Sequence, residues 1–208
     1  RTRSPIKIVD EVEAVVSLGY DRIWFADDCF TLEKSRLMEV CDKIIDRGVR
    51  VKWECLSRVD TLDLEIANKM KQAGCLRVFF GIESGNDYIL KIMKKQITTK
   101  QAANAVKICK KTGIKAGAFF IVGYPGENYR TIQDTVKLAS SLPLDYLSFT
   151  LPYPIPGTPL FERIKGDLEL DEWQEPKNIK LIKHKLLFDS EITESWLKSI
   201  IVKGLVQF

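Results

Sequence analysis

Gly74-Cys75-Leu76-Arg77-Val78-Phe79-Phe80-Gly81-Ile82-Glu83-Ser84-Gly85 reads as a short buried strand that stops on a glycine, a carboxylate, a hydroxyl and a second glycine. An apolar, aromatic run of this length bounded by glycines has the signature of an interior strand. A carboxylate just past the end of such a strand has no packing role and points at whatever lies above the sheet. In parallel α/β folds, ligands sit at that carboxyl edge. A solvated turn that happens to contain a glutamate is the plainer alternative. Repetition of the feature along the chain separates the two.

Working outward, the feature does repeat. Upstream, Ser4-Pro5 starts a helix striped by Ile8, Val9, Val12, Val15 and Val16 and stopped by Gly19. Tyr20 to Ala26 is a strand ending in Asp27-Asp28-Cys29-Phe30-Thr31. A helix carrying Leu37, Val40, Cys41, Ile44 and Ile45 follows, then a strand from Val49 to Leu56 closing on Ser57-Arg58. A helix from about Thr61 to Gly74 leads into the opening stretch. Downstream, Asn86 to Met93 and Thr99 to Lys111 read as helices. Ile114 to Val122 is a strand closing on Gly123-Tyr124-Pro125-Gly126-Glu127, and Asn128 caps a helix that Pro143 ends. Leu144 to Leu151 is the last strand, followed by the Pro152 to Pro159 loop.

Strand and helix alternate four times, which predicts βα units around a parallel sheet with right-handed crossovers. Five strands are too few for a closed eight-stranded barrel, and the chain opens on a helix where a strand belongs. The expectation is an α/β fold, an open partial parallel βα barrel over residues 1–165 whose first strand lies upstream of Arg1. Residues 166–208 read as an irregular tail, polar from Glu169 to Lys185, with a last helix near Thr193 to Val206. A start at Arg1 without methionine reads as a fragment.

At 45% hydrophobic and 29% charged residues the composition is that of an ordinary globular domain. A net charge of +4 is too mild to argue for nucleic acid, and no apolar run of about 18 residues offers a membrane span. Cys29, Cys41, Cys55, Cys75 and Cys109 are odd in number and irregularly spaced, which reads as reduced thiols in a cytoplasmic setting. Four of them lie in apolar periodic runs and are assigned to the core. No pair has metal-ligand spacing, so no metal site is expected from this chain's own residues. The lysines between Lys91 and Lys115 read as a solvated helix face, not a nucleic-acid surface.

Every strand thus ends in polar or glycine-rich residues, and a barrel gathers these ends at one mouth. The residue types suit a ligand carrying hydroxyls, an ammonium and a carboxylate. Glu83 can accept two hydrogen bonds from a ribose diol, with Ser84 beside it. Arg58 offers a planar fork to a carboxylate, or pairs with Asp60 or Asp28. Of Asp27 and Asp28, one is expected to cap the next helix while the other receives an ammonium. Gly81, Gly85, Gly123 and Gly126 clear space where a flat ring can lie against backbone. No catalytic residue is assigned: the single histidine, His184, falls in the tail and reads as a surface residue, and no Ser/His/Asp set or phosphate-binding glycine loop is present.

I-W-F-A-D-D-C-F-T at 23–31, Arg58, G-I-E-S-G at 81–85, G-Y-P-G-E at 123–127 and P-I-P-G-T-P-L at 154–160 together resemble the radical S-adenosylmethionine (SAM) superfamily. The branch most alike is the one often joined to a cobalamin-binding domain, which includes the anaerobic magnesium-protoporphyrin ester cyclases. The resemblance covers about residues 4–165. It implies a partial six-stranded βα barrel with a 4Fe–4S cluster and SAM at its mouth, where SAM is cleaved to a 5′-deoxyadenosyl radical. By position it places Glu83 at the ribose, Asp27-Asp28 at the methionine amino group, and Gly123, Pro125 and Gly126 near the adenine. It also implies a small-molecule substrate and leaves cobalamin to an upstream region.

The family's C-x3-C-x2-C cluster loop is absent, and none of the five cysteines matches it. The reading is therefore the catalytic barrel of an oxidoreductase or methyltransferase, inactive without an upstream cluster loop. A cluster-free module that binds a nucleotide-like ligand is the alternative. A barrel lacking its first strand is further expected to expose an edge open to self-association.

Overall fold

The computed structural model describes residues 2–166 and 192–208. In order, the elements are α1 (Pro5–Ser17), β1 (Arg22–Phe25), α2 (Lys34–Asp46), β2 (Lys52–Ser57), α3 (Leu64–Gln72), β3 (Cys75–Glu83), α4 (Asp87–Ile92) and α5 (Thr99–Thr112). They continue with β4 (Lys115–Ile121), α6 (Tyr129–Ser141), β5 (Tyr146–Thr150), α7 (Pro159–Ile164) and α8 (Glu194–Gln207). All strand pairs are parallel and lie in chain order, β1-β2-β3-β4-β5. When every right-handed crossover steps to the next strand in the same direction, the helices gather on one face and the sheet curls as a barrel wall does. The open, partial parallel barrel read from the sequence is this architecture.

The helix-covered face is the core. Trp53, Cys55, Val78, Phe80, Ala118 and Phe120 alternate along the strands and meet Val9, Leu37, Cys41, Met70, Val106 and Cys109 from the helices. Four thiols, Cys41, Cys55, Cys75 and Cys109, are buried in this layer, and burial pushes Cys41 and Cys109 up to about 12. They pack as small apolar groups, as their place in periodic runs predicted. Trp53 Nε1 donates to Ala73 O at 2.7 Å, which satisfies the one polar atom of a fully buried ring.

The opposite face is the barrel interior. It carries a ladder of rings: Trp24 against Phe79, and Phe79 against both Phe119 and Tyr146, at centroid distances of 5.3 to 5.6 Å. Gly117 stands opposite Phe79 in the register, and a Cβ there would lie 2.4 Å from the Phe79 ring. Trp24 and Tyr146, at the two sides of the ladder, remain 45% and 41% exposed. The same face also carries Glu54 and Arg77, paired at 3.8 Å with the guanidinium 5.5 Å from the Phe79 ring centroid, so the interior mixes aromatic and charged groups and is only partly covered.

Some boundaries differ from the sequence reading. α3 begins at Leu64, because Asp63 is its cap and accepts the Ile66 N–H at 2.8 Å. The Thr61 hydroxyl is engaged elsewhere, with Thr31 and the Arg58 carbonyl. α7 is a helix the sequence reading did not name: Thr158-Pro159, at the end of the proline-rich loop, repeats the pattern of Ser4-Pro5 and starts it, with Thr158 accepting the Phe161 N–H. α8 packs on α6, with Trp196 edge-on to Tyr129 and Gly204 close to Phe149 and Val136. The stretch read as irregular, with His184, lies outside the described residues. Among the described residues no helix is long and apolar enough to cross a membrane.

Candidate functional site

The end of β3 is built around a bulge. Gly81 pairs with Phe119 and Glu83 with Phe120, which leaves Ile82 as an extra residue. Past it, Glu83 adopts φ +69, a left-handed conformation that costs a side-chain-bearing residue about 1–2 kcal/mol. The carboxylate is 16% exposed, and Lys95 Nζ donates to its Oε1 at 2.9 Å. A Cβ at Gly81 would sit 2.7 Å from the same oxygen, so the glycine makes room for the carboxylate. Among the described residues nothing bonds to Glu83 Oε2.

Ser84 turns the other way. It is fully buried, with Oγ 3.2 Å from Thr135 Oγ1 on α6, and it accepts the Asn86 N–H. Gly85 N–H donates to Thr135 Oγ1 at 2.9 Å, and a Cβ on Gly85 would lie 2.5 Å from Thr135 Cα. Ser84 and Gly85 thus anchor the strand end to α6, and Glu83 alone of the three carries its polar group to the mouth.

At the end of β1, Asp27 and Asp28 are both exposed. Neither caps α2, contrary to the sequence reading. That helix begins at Lys34 after Glu33, without a side-chain cap bond, because a turn through Thr31 carries the chain away from the aspartates first. Thr31 is the residue that fastens this turn: its buried hydroxyl lies 2.6 Å from both Ser57 Oγ and Thr61 Oγ1. Cys29 is half-buried beside it, Sγ 3.6 Å from Thr31 Oγ1.

Arg58, at the end of β2, resolves its two alternatives toward the ion pair. Nε and Nη2 donate to the two Asp60 oxygens at 2.9 and 2.8 Å, and Nη2 also reaches Lys95 O at 3.5 Å. The guanidinium holds the Asp60 carboxyl below the usual carboxylate range, against the opposing effect of burial. With its side chain 37% exposed, Arg58 stays at the rim.

The end of β4 was legible as a glycine-rich turn, but the role of Glu127 was not. Glu127 Oε2 accepts the Gly123 and Tyr124 N–H groups at 2.7 and 2.9 Å, while its own N–H donates to Tyr124 O. Gly123 and Gly126 take φ +82 and +99 around Pro125. Glu127 Oε1 is buried without a hydrogen-bond partner. Burial pushes the carboxyl up to about 7 from an ordinary 4.5, against the two amides that favour the charged form. Lys95 was missed as well. It belongs to the α4–α5 loop, not to a helix face, and is flanked by Lys94 at φ +56 and Gln96 at φ +54. Its sequence signal was only its position between two helices.

The mouth therefore presents the carboxylates of Asp27, Asp28 and Glu83, the Lys95 ammonium, a rim guanidinium and a backbone turn clamped by Glu127. Carboxylates placed this way are acceptors of the kind that hydroxyl and ammonium groups require. Among the described residues no group of three or more His, Cys, Asp or Glu side chains could hold a metal ion.

A profile of the Radical SAM superfamily matches residues 1–139. An uncharacterised methyltransferase of Pyrococcus horikoshii is 39% identical over 163 residues, 78% of this chain and 36% of that protein. The anaerobic magnesium-protoporphyrin IX monomethyl ester cyclase of Cereibacter sphaeroides is 28% identical over 200 residues, 93% of this chain and 33% of that one. The chain thus spans about a third of the length of these relatives. Among solved structures, the radical SAM methyltransferase TsrM of Kitasatospora setae, with cobalamin and a 4Fe–4S cluster bound, superposes with a TM-score of 0.73 at 23% identity. That superposition covers 78% of this chain and 34% of TsrM, and at such identity it speaks for the fold. A chain-order parallel half-barrel, the polar strand ends at its mouth and a profile match over most of its length agree: this chain belongs to the radical SAM superfamily.

Proposed function

We propose that this chain binds and orients SAM in a radical SAM oxidoreductase or methyltransferase that acts on a small-molecule substrate. Glu83 carries the proposal: a carboxylate held in a left-handed conformation at the carboxyl edge of β3, with Oε2 open. A strained polar residue on a rigid strand end is what a ligand contact requires and what packing does not. Glu83 would accept from the ribose diol. Asp27 or Asp28, exposed beyond β1, would receive the methionine ammonium. Gly123, Pro125 and Gly126 would lie along the adenine, with the Gly123 and Tyr124 amides held by Glu127. Arg58 would take the ligand carboxylate only by sharing or leaving Asp60. Ser84 would act through its anchorage of the strand.

SAM, when an iron–sulfur cluster delivers an electron to it, supplies a 5′-deoxyadenosyl radical that takes hydrogen from a substrate. The described residues do not fit such a cluster. Four of the five thiols are buried in the helix–sheet layer, and Cys29 has no second cysteine beside it. Ligand binding and orientation are therefore assigned to this chain, and by itself it would leave SAM intact. Cobalamin, bound in TsrM, is proposed as a further cofactor held outside these residues. A cytoplasmic setting and self-association through the exposed β1 edge of the sheet belong to the same proposal.

The test is calorimetry of the complete protein with S-adenosylhomocysteine, paired with its iron content after anaerobic reconstitution. Glu83→Ala should weaken binding by about 1–3 kcal/mol, the usual consequence of stranding a buried hydrogen-bonding partner, and about four irons should bind per chain. Unchanged affinity removes Glu83 from the ribose. Binding without iron favours the cluster-free module.

A further inference from the structure

Lys95 is presented to the mouth by a fixed backbone. Its N–H donates to Leu90 O at 3.0 Å, and its carbonyl accepts from Arg58 Nη2. Two residues on, Ile97 is buried and anchors the loop before Thr98 caps α5. The residues on either side are held at positive φ although neither is glycine, and such strain persists only where the surroundings over-determine the backbone. The loop thus joins the ends of β2 and β3: Asp60 holds Arg58, Arg58 reaches the Lys95 carbonyl, and the Lys95 ammonium holds Glu83. Gly81 completes the arrangement, since its absent side chain leaves room for both charged groups; Lys95 Nζ is 3.6 Å from where a Cβ would be.

We propose that Lys95 is a positioning residue for the ligand's ribose, one that fixes the Glu83 carboxylate by occupying Oε1 and leaves Oε2 to accept from the diol. The inference rests on the reading that Glu83 meets the ribose. An unpaired carboxylate on a flexible side chain samples several rotamers, and ordering it on binding subtracts from affinity. With one oxygen held by a charge-assisted bond, the other is already in place when the ligand arrives. The pair is only part-exposed, 32% for Lys95 and 16% for Glu83, so water competes for it less than for a surface pair. Lys95 acts through Glu83 and makes no contact with the reacting atoms.

The experiment is a two-ligand comparison on the complete protein by calorimetry, using S-adenosylhomocysteine and its analogue lacking both the 2′ and 3′ hydroxyls. Lys95→Met should weaken S-adenosylhomocysteine about five- to tenfold and leave the analogue's affinity unchanged. Lys95→Arg, which keeps a donor, should recover most of the loss. An equal loss on both ligands would mean that Lys95 supports the fold or another part of the ligand, and overturns the inference. So does tighter binding by Lys95→Met, which would mark the lysine as an obstruction. If Glu83→Ala weakens binding and Lys95→Met does not, the ribose reading stands and this inference falls. If neither variant affects S-adenosylhomocysteine, both fall together.

Discussion

The ends of β3 and β4 each set a glutamate among glycines, and the two carboxylates are held in opposite ways. Glu83 sits at the mouth, engaged by one ammonium and open at its second oxygen. Glu127 is turned inward, holds two backbone amides, and buries its second oxygen without a partner. The first arrangement keeps a polar atom available to a ligand. The second uses a polar group to fix a peptide turn, and burial makes the charged form costly. Proximity to a glycine-rich strand end does not distinguish a carboxylate with an open oxygen from a scaffolding one. Hydrogen-bond partners and burial do.

The largest expected effect breaks the scaffold beneath the β3 side of the comparison. Gly85→Ala would place a Cβ 2.5 Å from Thr135 Cα and 2.6 Å from Asp134 O, both backbone atoms of α6 that cannot swing aside. Urea unfolding should show a loss of about 3 kcal/mol or more. A midpoint near wild type would mean that the β3–α6 junction yields and does not hold Glu83 rigidly.

The β4 side is sharpened by pH. A carboxyl raised in the folded state retains its proton between pH 4.5 and about 7 while the unfolded chain releases it. Its stabilising contribution is complete below 4.5 and lost as pH rises through about 7, by at most about 3 kcal/mol. Glu127→Gln should remove that decline when chemical denaturation is repeated across the range. An unaltered pH profile would mean that Glu127 is not the group responsible, and the contrast with Glu83 would lose its electrostatic half.

The smallest effect concerns Arg58, whose side chain is more exposed than that of Glu83. Arg58→Gln should change stability by under about 1 kcal/mol, as exposed ion pairs do, while the Asp60 carboxyl rises toward its ordinary range in an NMR titration. A fall in S-adenosylhomocysteine affinity beyond that would place Arg58 on the ligand. An unchanged affinity would leave it as the partner of Asp60 and the support of the Lys95 loop.

The gathering of polar groups at the strand ends was legible in the sequence. The polar termini of the strands were identified because a chain that leaves a buried strand has only one edge at which to meet solvent. Glu83 stood out because an acid after Phe79-Phe80-Gly81-Ile82 has no apolar reason to be there. Ser84 is as polar and adjacent, yet the bulge at Ile82 turns it under the sheet to Thr135, and no local pattern encodes a bulge. Lys95 was indistinguishable from its neighbours Lys91 and Lys94, because the contacts that fix it at the mouth are tertiary, with Glu83 on β3 and with Arg58 beyond β2.

The sequence by itself determined the class of fold, the order of its units and which strand ends are polar. These follow from periodicity and from turn and cap chemistry, which act over a few residues. Tertiary structure alone decided which polar side chains reach the mouth, which fasten the scaffold and that Glu127 holds its proton more tightly than a free carboxyl. Those outcomes depend on burial and on partners from distant segments, and electrostatic free energy in a folded protein is set by that surrounding medium.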